Sequence, residues 1–379
     1  MAQVRSIKVC ILTSVHPACD TRIFHKQAKT LVQAGYDVIL IAQHEKVEMV
    51  EGVQILPLPS PRNRLHRMVG LTLRAFRVAL KQRADVYHLH DPELLPVGLL
   101  LKLCTKAKII YDTHEDVAEN ILMKEWLPAI LRRPISLGFG LFEQLAARFV
   151  DRIVGATEAI AAHFSQSKTI AVRNYPLLSY FNEKGRDRDC ARKDSYTLIY
   201  AGVLTKERGV SELIRSLELV DKKFAVRLKL LGRFDPPAFE EEVRSLEGWA
   251  NVDYLGLVPY QEVIVHLRDA DIGVVLFHDV PNHPESMPNK LFEYMAAGLP
   301  VIASNFPLWK EIVEGNECGL TVDPLNPQEI AQAIEYLLDH PELRQKMGEN
   351  GRRAVLEKYN WENEAKKLLA LYQRLLENV

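Results

Sequence analysis

The 379-residue chain is 47% hydrophobic and 26% charged, the balance of a soluble globular protein of about two domains, which excludes disordered, collagen-like and disulfide-scaffold classes. Its 48 basic and 49 acidic side chains nearly cancel, so the whole-chain charge gives no reason to expect a nucleic-acid partner. Five scattered cysteines, Cys10, Cys19, Cys104, Cys190 and Cys318, have no Cys-x-x-Cys spacing and read as free thiols of a reducing cytoplasm rather than a disulfide framework or zinc site.

In chain order, the apolar segment Ile7 to Thr13 is too short for a signal peptide and reads as a buried first strand. Further strands are predicted at Asp37 to Ala42, Val53 to Leu58, Val86 to His90, Lys108 to Thr113, Arg152 to Ala156 and Thr169 to Val172. The run 62–83 (RNRLHRMVGLTLRAFRVALKQR) holds eight basic residues, His66 included, and no acidic one. At 100° per residue Leu65, Val69, Leu73, Phe76 and Leu80 share one helix face, opposite Arg67, Arg74, Arg77 and Lys81. Either that helix packs its apolar face on a sheet and solvates its charges, or the basic face meets anionic lipid or a polyanionic acceptor. Residues 121–149, with Trp126, Leu127, Ile130 and Leu131 beside Arg132 and Arg133, suit the same surface.

The charge-dense stretch Glu183 to Ser195 lacks apolar periodicity and reads as an interdomain linker. A second series of strands follows at Leu198 to Gly202, Val226 to Leu231, Val252 to Leu255, Ile272 to Leu276, Val301 to Ala303 and Leu320 to Val322. The alternation predicts two doubly wound α/β domains, residues 1–183 and 196–358, whose strand ends meet on a shared cleft. Residues 359–379 predict an amphipathic docking helix carrying Leu368, Leu369, Tyr372, Leu375 and Leu376. No segment approaches the ~20 apolar residues needed to span a bilayer, so any membrane contact is expected to be peripheral.

The segment 281–305, PNHPESMPNKLFEYMAAGLPVIASN, predicts a polar turn with Glu285, a helix from Pro288 to Ala297, and a stop at Gly298. Its first N–H groups, at Asn289, Lys290 and Leu291, form an anion site to which Lys290 adds a full charge. Glu293, one turn on, can accept two hydrogen bonds from a vicinal diol such as ribose. The Glu285-x7-Glu293 element with YMAAGLPVIAS resembles the donor-binding signature of retaining glycosyltransferases of family 4, which implies the GT-B fold of two Rossmann-like domains and a C-terminal helix, residues 359–379, that crosses back to the first domain. The segment 198–210, LIYAGVLTKERGV, is similar to the loop that in this family holds the donor diphosphate.

The resemblance assigns Gly202 and Arg208 to that loop, but Val203 stands where the family usually has an arginine. Lys206 either substitutes through its flexible stem or is simply solvated. Residues 251–277 resemble the nucleobase loop, with backbone at Leu257 and Val258 meeting the base, so the choice among uridine, guanosine and adenosine is not fixed. Gly232 and Arg233 line the cleft or, for Arg233, the surface.

In the first domain His114, just past the strand carrying Asp112, matches the family histidine that approaches the donor sugar, a positioning role. His90 and Asp91 share its rim, and His16, Asp20 and Arg22 occupy a loop where the family usually has a glycine pair, so they are expected to contact sugar or acceptor. Three histidines near several acids suggest a metal, yet they sit on separate strands and the fold requires none, so no metal or other cofactor is expected. The implied activity is retaining hexosyl transfer from a nucleoside diphosphate sugar to a glycan or lipid-linked acceptor in polysaccharide or glycolipid synthesis. Glu285, Arg208 and His114 are its principal catalytic candidates, and the enzyme is expected in the cytoplasm, at most peripheral to the inner membrane face. The alternatives are a GT-B nucleotide-sugar epimerase and a non-catalytic scaffold that binds sugar nucleotide. The near-zero net charge hides a first domain at +6 (23 basic, 17 acidic in residues 1–183) and a remainder at −7 (25 basic, 32 acidic).

Overall fold

The computed structural model describes residues 6–122, 124, 127–181 and 195–377. The chain divides into two compact units, Met1–Asn174 with Glu362–Val379, and Tyr175–Trp361. The first holds an eight-stranded sheet in the order β3-β4-β2-β1-β5-β6-β7-β8. Its strands are β1 (Lys8–Pro17), β2 (Asp37–Gln43), β3 (Glu48–Val50), β4 (Val53–Leu58), β5 (Val86–Leu89), β6 (Lys108–Thr113), β7 (Arg152–Gly155) and β8 (Thr169–Ala171). Among the described residues only β3 pairs antiparallel. It escapes the strand pattern because Glu48-Met49-Val50 is short, partly polar and lies at an edge.

The second unit holds β9 (Tyr196–Ala201), β10 (Val226–Leu231), β11 (Val252–Gly256), β12 (Ile272–Val275), β13 (Val301–Ser304) and β14 (Gly319–Val322). They form a parallel sheet in the order β11-β10-β9-β12-β13-β14. In each sheet the chain winds outward from its first strand, then returns to that strand's other side. The reversal places switch points between β1 and β5 and between β9 and β12, where doubly wound sheets bind ligands. Strands covered on both faces need near-continuous apolar runs, and Val9 to Leu12 and Val274 to Leu276 are accordingly almost fully buried.

One expectation about layout is revised. Residues 175–181 pack with the second unit, not the first: Tyr175 stacks edge-on against Phe292 at 4.7 Å, and Arg352 donates to the Phe181 carbonyl at 2.9 Å. The expected linker falls almost wholly outside the described residues. The Trp361–Leu376 helix passes into the first unit, burying Leu368, Leu371, Tyr372 and Leu375.

The helix expected over 62–83 forms as a π-helical stretch His66–Leu71 leading into the α-helix Thr72–Gln82, and of the expected apolar face only Phe76 and Leu80 pack, partly buried, against the core. Leu71, Thr72, Ala75 and Ala79 face the sheet, while Leu65, Val69 and Leu73 are 72%, 51% and 47% exposed. Small side chains let the helix axis approach the strands closely, and the wide turn shifts the angular phase of the residues before it. Apolar periodicity alone registers neither effect.

Candidate active site

In the second unit, three loops leave the carboxyl ends of adjacent strands side by side. The Gly202 N–H donates to the Leu231 carbonyl at 2.9 Å, and the Gly232 N–H donates to the Gly256 carbonyl at 2.8 Å. A Cβ at Gly232 would lie 1.8 Å from the Gly202 carbonyl oxygen, and at Gly202, where φ is +135°, it would lie 2.8 Å from Lys290 Nζ. Only glycine allows this approach. Val258, partly buried, packs against the core beside these loops, and Leu257 is exposed.

Lys290 is the unusual group here. It lies in the first turn of the Asn289–Ala296 helix, 7% exposed, with Nζ 3.6 Å from the Tyr200 ring centroid and 5.5 Å from that of Phe277. Its Nζ has no hydrogen-bond partner among the described residues. Burial, then the charge of Arg208, pushes its pKa well below the usual lysine value, with Glu293 partly offsetting them. Arg208 stacks on the other aromatic, its Cζ 5.3 Å from the Phe277 centroid, and donates to the Val203 carbonyl at 3.4 Å. Position 203 thus contributes a backbone oxygen that fixes Arg208 rather than a cation of its own. Lys206 is exposed at the start of the short 3₁₀ turn Lys206–Arg208, and Gly209 ends that turn at φ +67°.

The helix start offers less than expected. Its Leu291 N–H is spent on the Pro288 carbonyl at 3.0 Å and the residue is fully buried, so Leu291 is removed from the anion site. Asn289 remains half-buried at the helix start. Glu293 accepts the Tyr260 hydroxyl at 2.8 Å, leaving less capacity for a diol than a bare carboxylate would have. Burial, then the neighbouring Glu293 charge, drives the Tyr260 pKa strongly upward. Glu285 sits exposed on the preceding turn, which is pinned where Trp309 Nε1 donates to the Ser286 carbonyl at 2.7 Å. The sequence reading missed Tyr260 and also His278, whose Nε2 pairs with Glu212 at 3.1 Å while its N–H donates to the Glu207 carbonyl at 2.8 Å. Only tertiary pairing reveals these contacts.

In the first unit, Asp112 organises the switch point from within. Fully buried, it accepts Arg22 at 2.9 and 3.2 Å and Gln27 at 2.6 Å, with His88 Nε2 and His114 Nε2 at 3.5 and 3.3 Å. Burial alone would raise its pKa, but Arg22 and the two histidines hold it well below the usual carboxylate range. Arg22 also donates to the Val172 carbonyl and is 4% exposed, which corrects its expected role: it neutralises Asp112 instead of meeting a substrate. His90 likewise lies behind the rim, fully enclosed, with Nδ1 3.0 Å from His114 Nε2. Asp91 is buried too and holds the β1 loop, accepting from the Ser14 N–H at 2.5 Å and Thr13 Oγ1 at 2.9 Å.

His114 and His16 remain partly open, their ring centroids 5.5 Å apart. His16 lies 3.6 Å from Asp20 and 3.7 Å from Asp91. Burial works against its protonation, yet those carboxylates raise its pKa overall. Asp20 caps the Thr21–Ala28 turn through the Arg22 and Ile23 N–H groups, and with His16 these bonds outweigh burial and lower its pKa to about 2. His88, His90 and Asp112 bring ligand atoms within 4.8 Å of one another, a closeness the separate strands concealed. The Asp112 oxygens already serve Arg22 and Gln27, and His88 Nδ1 meets the Tyr372 hydroxyl at 2.8 Å, so the donor set is largely engaged inside the protein.

Residues 182–354 match the family model "Glycosyl transferases group 1", and residues 21–174 match "Glycosyl transferase 4-like domain". The chain is a group 1 glycosyltransferase. It is 23% identical over 317 residues to the MMP alpha-(1->4)-mannosyltransferase of Mycolicibacterium hassiacum, covering 81% of this chain and 75% of that one. It is 24% identical over 363 residues to the phosphatidyl-myo-inositol mannosyltransferase of Mycobacterium leprae, covering 92% and 88%. Among solved structures, sucrose-phosphate synthase from Thermosynechococcus elongatus superposes with a TM-score of 0.78 at 19% identity, covering 98% of this chain and 100% of that one. Anabaena HepE in complex with UDP and glucose superposes at 0.71 and 13% identity, covering 97% and 99%. This group 1 glycosyltransferase therefore has the GT-B fold and transfers sugars.

Proposed function

We propose that this glycosyltransferase moves a hexose from a nucleoside diphosphate sugar to an acceptor hydroxyl with retention at the anomeric carbon, in glycolipid or polysaccharide synthesis. One observation carries the donor assignment: Lys290 holds a buried, unpartnered ammonium beside Arg208 and against Gly202, where the backbone is bare. A buried cation without a partner is costly, and a diphosphate supplies the missing anion. That the HepE structure was solved with UDP and glucose agrees with such a donor.

In this reading the C1–O bond to the diphosphate breaks with its electron pair leaving on phosphate. Arg208, Lys290 and the helix start stabilise that charge. The acceptor oxygen attacks C1 from the same face and passes its proton to the departing phosphate, so no protein nucleophile is required. Glu285 orients the sugar and Glu293 the ribose. On the first unit, His114 offers a sugar hydroxyl the ring edge turned away from Asp112. The reaction needs no metal, because the two cations do its electrostatic work.

The acceptor is proposed to be a glycan or a lipid-linked sugar on the cytoplasmic side, and no helix of the described residues is long and apolar enough to cross a membrane. The test is product analysis with a panel of nucleotide sugars. Transfer to a simple alcohol with retained configuration supports the reading. Inverted product refutes retention, and conversion of donor alone, without acceptor, points to an epimerase instead.

A further inference from the structure

The hydrogen bonds behind His114 determine how that ring can meet a ligand. Asp112, at the carboxyl end of β6, is held from several sides. In the π-helical stretch Thr21–Ala28, residues five apart lie on one side, so Arg22 and Gln27 both reach its carboxylate, at 2.9 and 2.6 Å. His88 Nε2 lies 3.5 Å from the same group, and its Nδ1 is fixed in turn by the Tyr372 hydroxyl at 2.8 Å. The carboxylate cannot rotate without breaking the Arg22 and Gln27 bonds. Burial favours its neutral form, but Arg22 and the histidines prevail and keep it an anion.

His114 Nε2 faces this anion at 3.3 Å and His90 Nδ1 at 3.0 Å. A neutral imidazole carries one N–H, and the bond made by one nitrogen decides what the other can do. If His90 Nδ1–H donated to His114 Nε2, the lone pair of that nitrogen would stand against the Asp112 carboxylate. If His114 instead carries its proton on Nε2, the N–H lies between the carboxylate and the His90 Nδ1 lone pair. A hydrogen bond to an ionised acceptor is about twice as strong as one between neutral groups, which decides for the second arrangement. Its cost is that the His90 proton sits on Nε2, a buried nitrogen with no partner among the described residues. Across the His114 ring, Nδ1 then carries a lone pair. Both nitrogens of the neighbouring His16 face carboxylates, Asp20 at 3.6 Å and Asp91 at 3.7 Å, so that ring does not claim it.

We infer, on the reading that places His114 at the donor sugar, that Asp112 is a positioning residue that sets the His114 tautomer. His114 Nδ1 then accepts a hydrogen bond from a sugar hydroxyl and discriminates against a substituent that cannot donate one. Fluorine in place of that hydroxyl keeps much of its size and polarity but has no proton to give, so it separates an accepting ring from a donating one.

The first test is nitrogen NMR of the histidine rings in the full wild-type chain, with the His114 signals assigned by their loss in His114→Ala. A protonated Nε2 and a bare Nδ1 are expected at His114; a protonated Nδ1 overturns the inference and leaves the sugar contact standing. Asp112→Asn removes the anion, and Arg22→Met added to it removes the stranded guanidinium where the single change does not fold. Protonation at His114 Nδ1 is expected in these variants, a change that a merely structural role would not produce, and an unchanged tautomer overturns the assignment of Asp112. The second test compares the affinities of UDP-glucose and GDP-mannose with those of their 2-, 3-, 4- and 6-deoxyfluoro analogues. For the donor that binds, one analogue is expected to lose roughly 2- to 13-fold, the worth of one neutral hydrogen bond, and to lose nothing further in His114→Ala. Equal binding of all analogues, or a loss that persists in His114→Ala, removes His114 from the sugar and the inference with it, while the diphosphate site stands. Binding of neither sugar nucleotide removes the donor reading itself.

Discussion

Lys290→Met separates the stability of the donor loop from its binding. In the free protein the ammonium is 7% exposed and lacks a hydrogen bond, a deficit of about 1–3 kcal/mol for a buried polar group. Contact with the Tyr200 ring at 3.6 Å returns roughly 0.5–2 kcal/mol of that. Methionine fills the same volume, stays in contact with the aromatic rings and removes the charge, so the variant is expected to match the parent or exceed it by up to about 1 kcal/mol. For a unit of 187 residues, 175–361, that is a rise of at most about 4 °C in melting temperature. Diphosphate binding loses one charge-assisted contact of about 1.5–3 kcal/mol, hence roughly 10- to 150-fold in Kd. Differential scanning calorimetry and isothermal titration with the tightest nucleoside diphosphate read both quantities. A variant that melts well below the parent and binds nucleotide equally well would refute the reasoning, because Lys290 would then be a structural residue.

Other outcomes follow from the same geometry. Because the free-state pKa of Lys290 is pushed down, binding of a diphosphate takes up a proton once the pH exceeds that value, so affinity falls as pH rises; titration in buffers of different ionisation enthalpy measures the uptake. Arg208→Ala and Glu285→Ala are expected to abolish transfer in a product assay, the exposed Glu285 change shifting stability by less than about 0.5 kcal/mol. Gly202→Ala places a Cβ 2.8 Å from Lys290 Nζ at a φ of +135°, so it lowers both melting temperature and diphosphate affinity. Asp112→Asn leaves the Arg22 guanidinium buried without its counter-charge and costs the first unit about 3–5 kcal/mol in chemical denaturation.

The first unit also has an expected acid response. Burial holds the His88 and His90 pKa values below their unfolded value, so the unfolded chain binds more protons just below pH ~6.5 and stability falls as pH drops through that range. His16, raised by its carboxylates, opposes one of these protons. Asp112, held low, adds its own loss only as the pH falls below ~4. His90→Gln should flatten the slope of stability between pH 7 and 5, and an unchanged slope would remove His90 from the account.

Strand positions were legible because parallel strands covered on both faces require apolar runs: Val53–Leu58, Lys108–Thr113 and Val226–Leu231 have the bounds that the sequence suggests. The Lys290 helix was legible through Pro288 and Gly298, which bracket it. Hidden were features that depend on distant partners. Arg22 reads as a loop cation until folding brings it to Asp112, 90 residues away. Asp91 reads as a rim carboxylate until the Ser14 and Thr13 groups claim it. The Thr72–Gln82 helix buries alanines rather than leucines because closeness of approach, which a hydrophobicity pattern does not record, decides its orientation.

The central claim is that the Gly202, Arg208 and Lys290 site binds a nucleoside diphosphate. A thermal-shift series of the wild-type chain against uridine, guanosine and adenosine diphosphates, each repeated with Arg208→Ala, tests it most directly. At least one diphosphate should raise the wild-type melting temperature in proportion to the logarithm of its concentration, and the shift should be lost in the variant. No shift with any of them, or an equal shift in both proteins, would contradict the account.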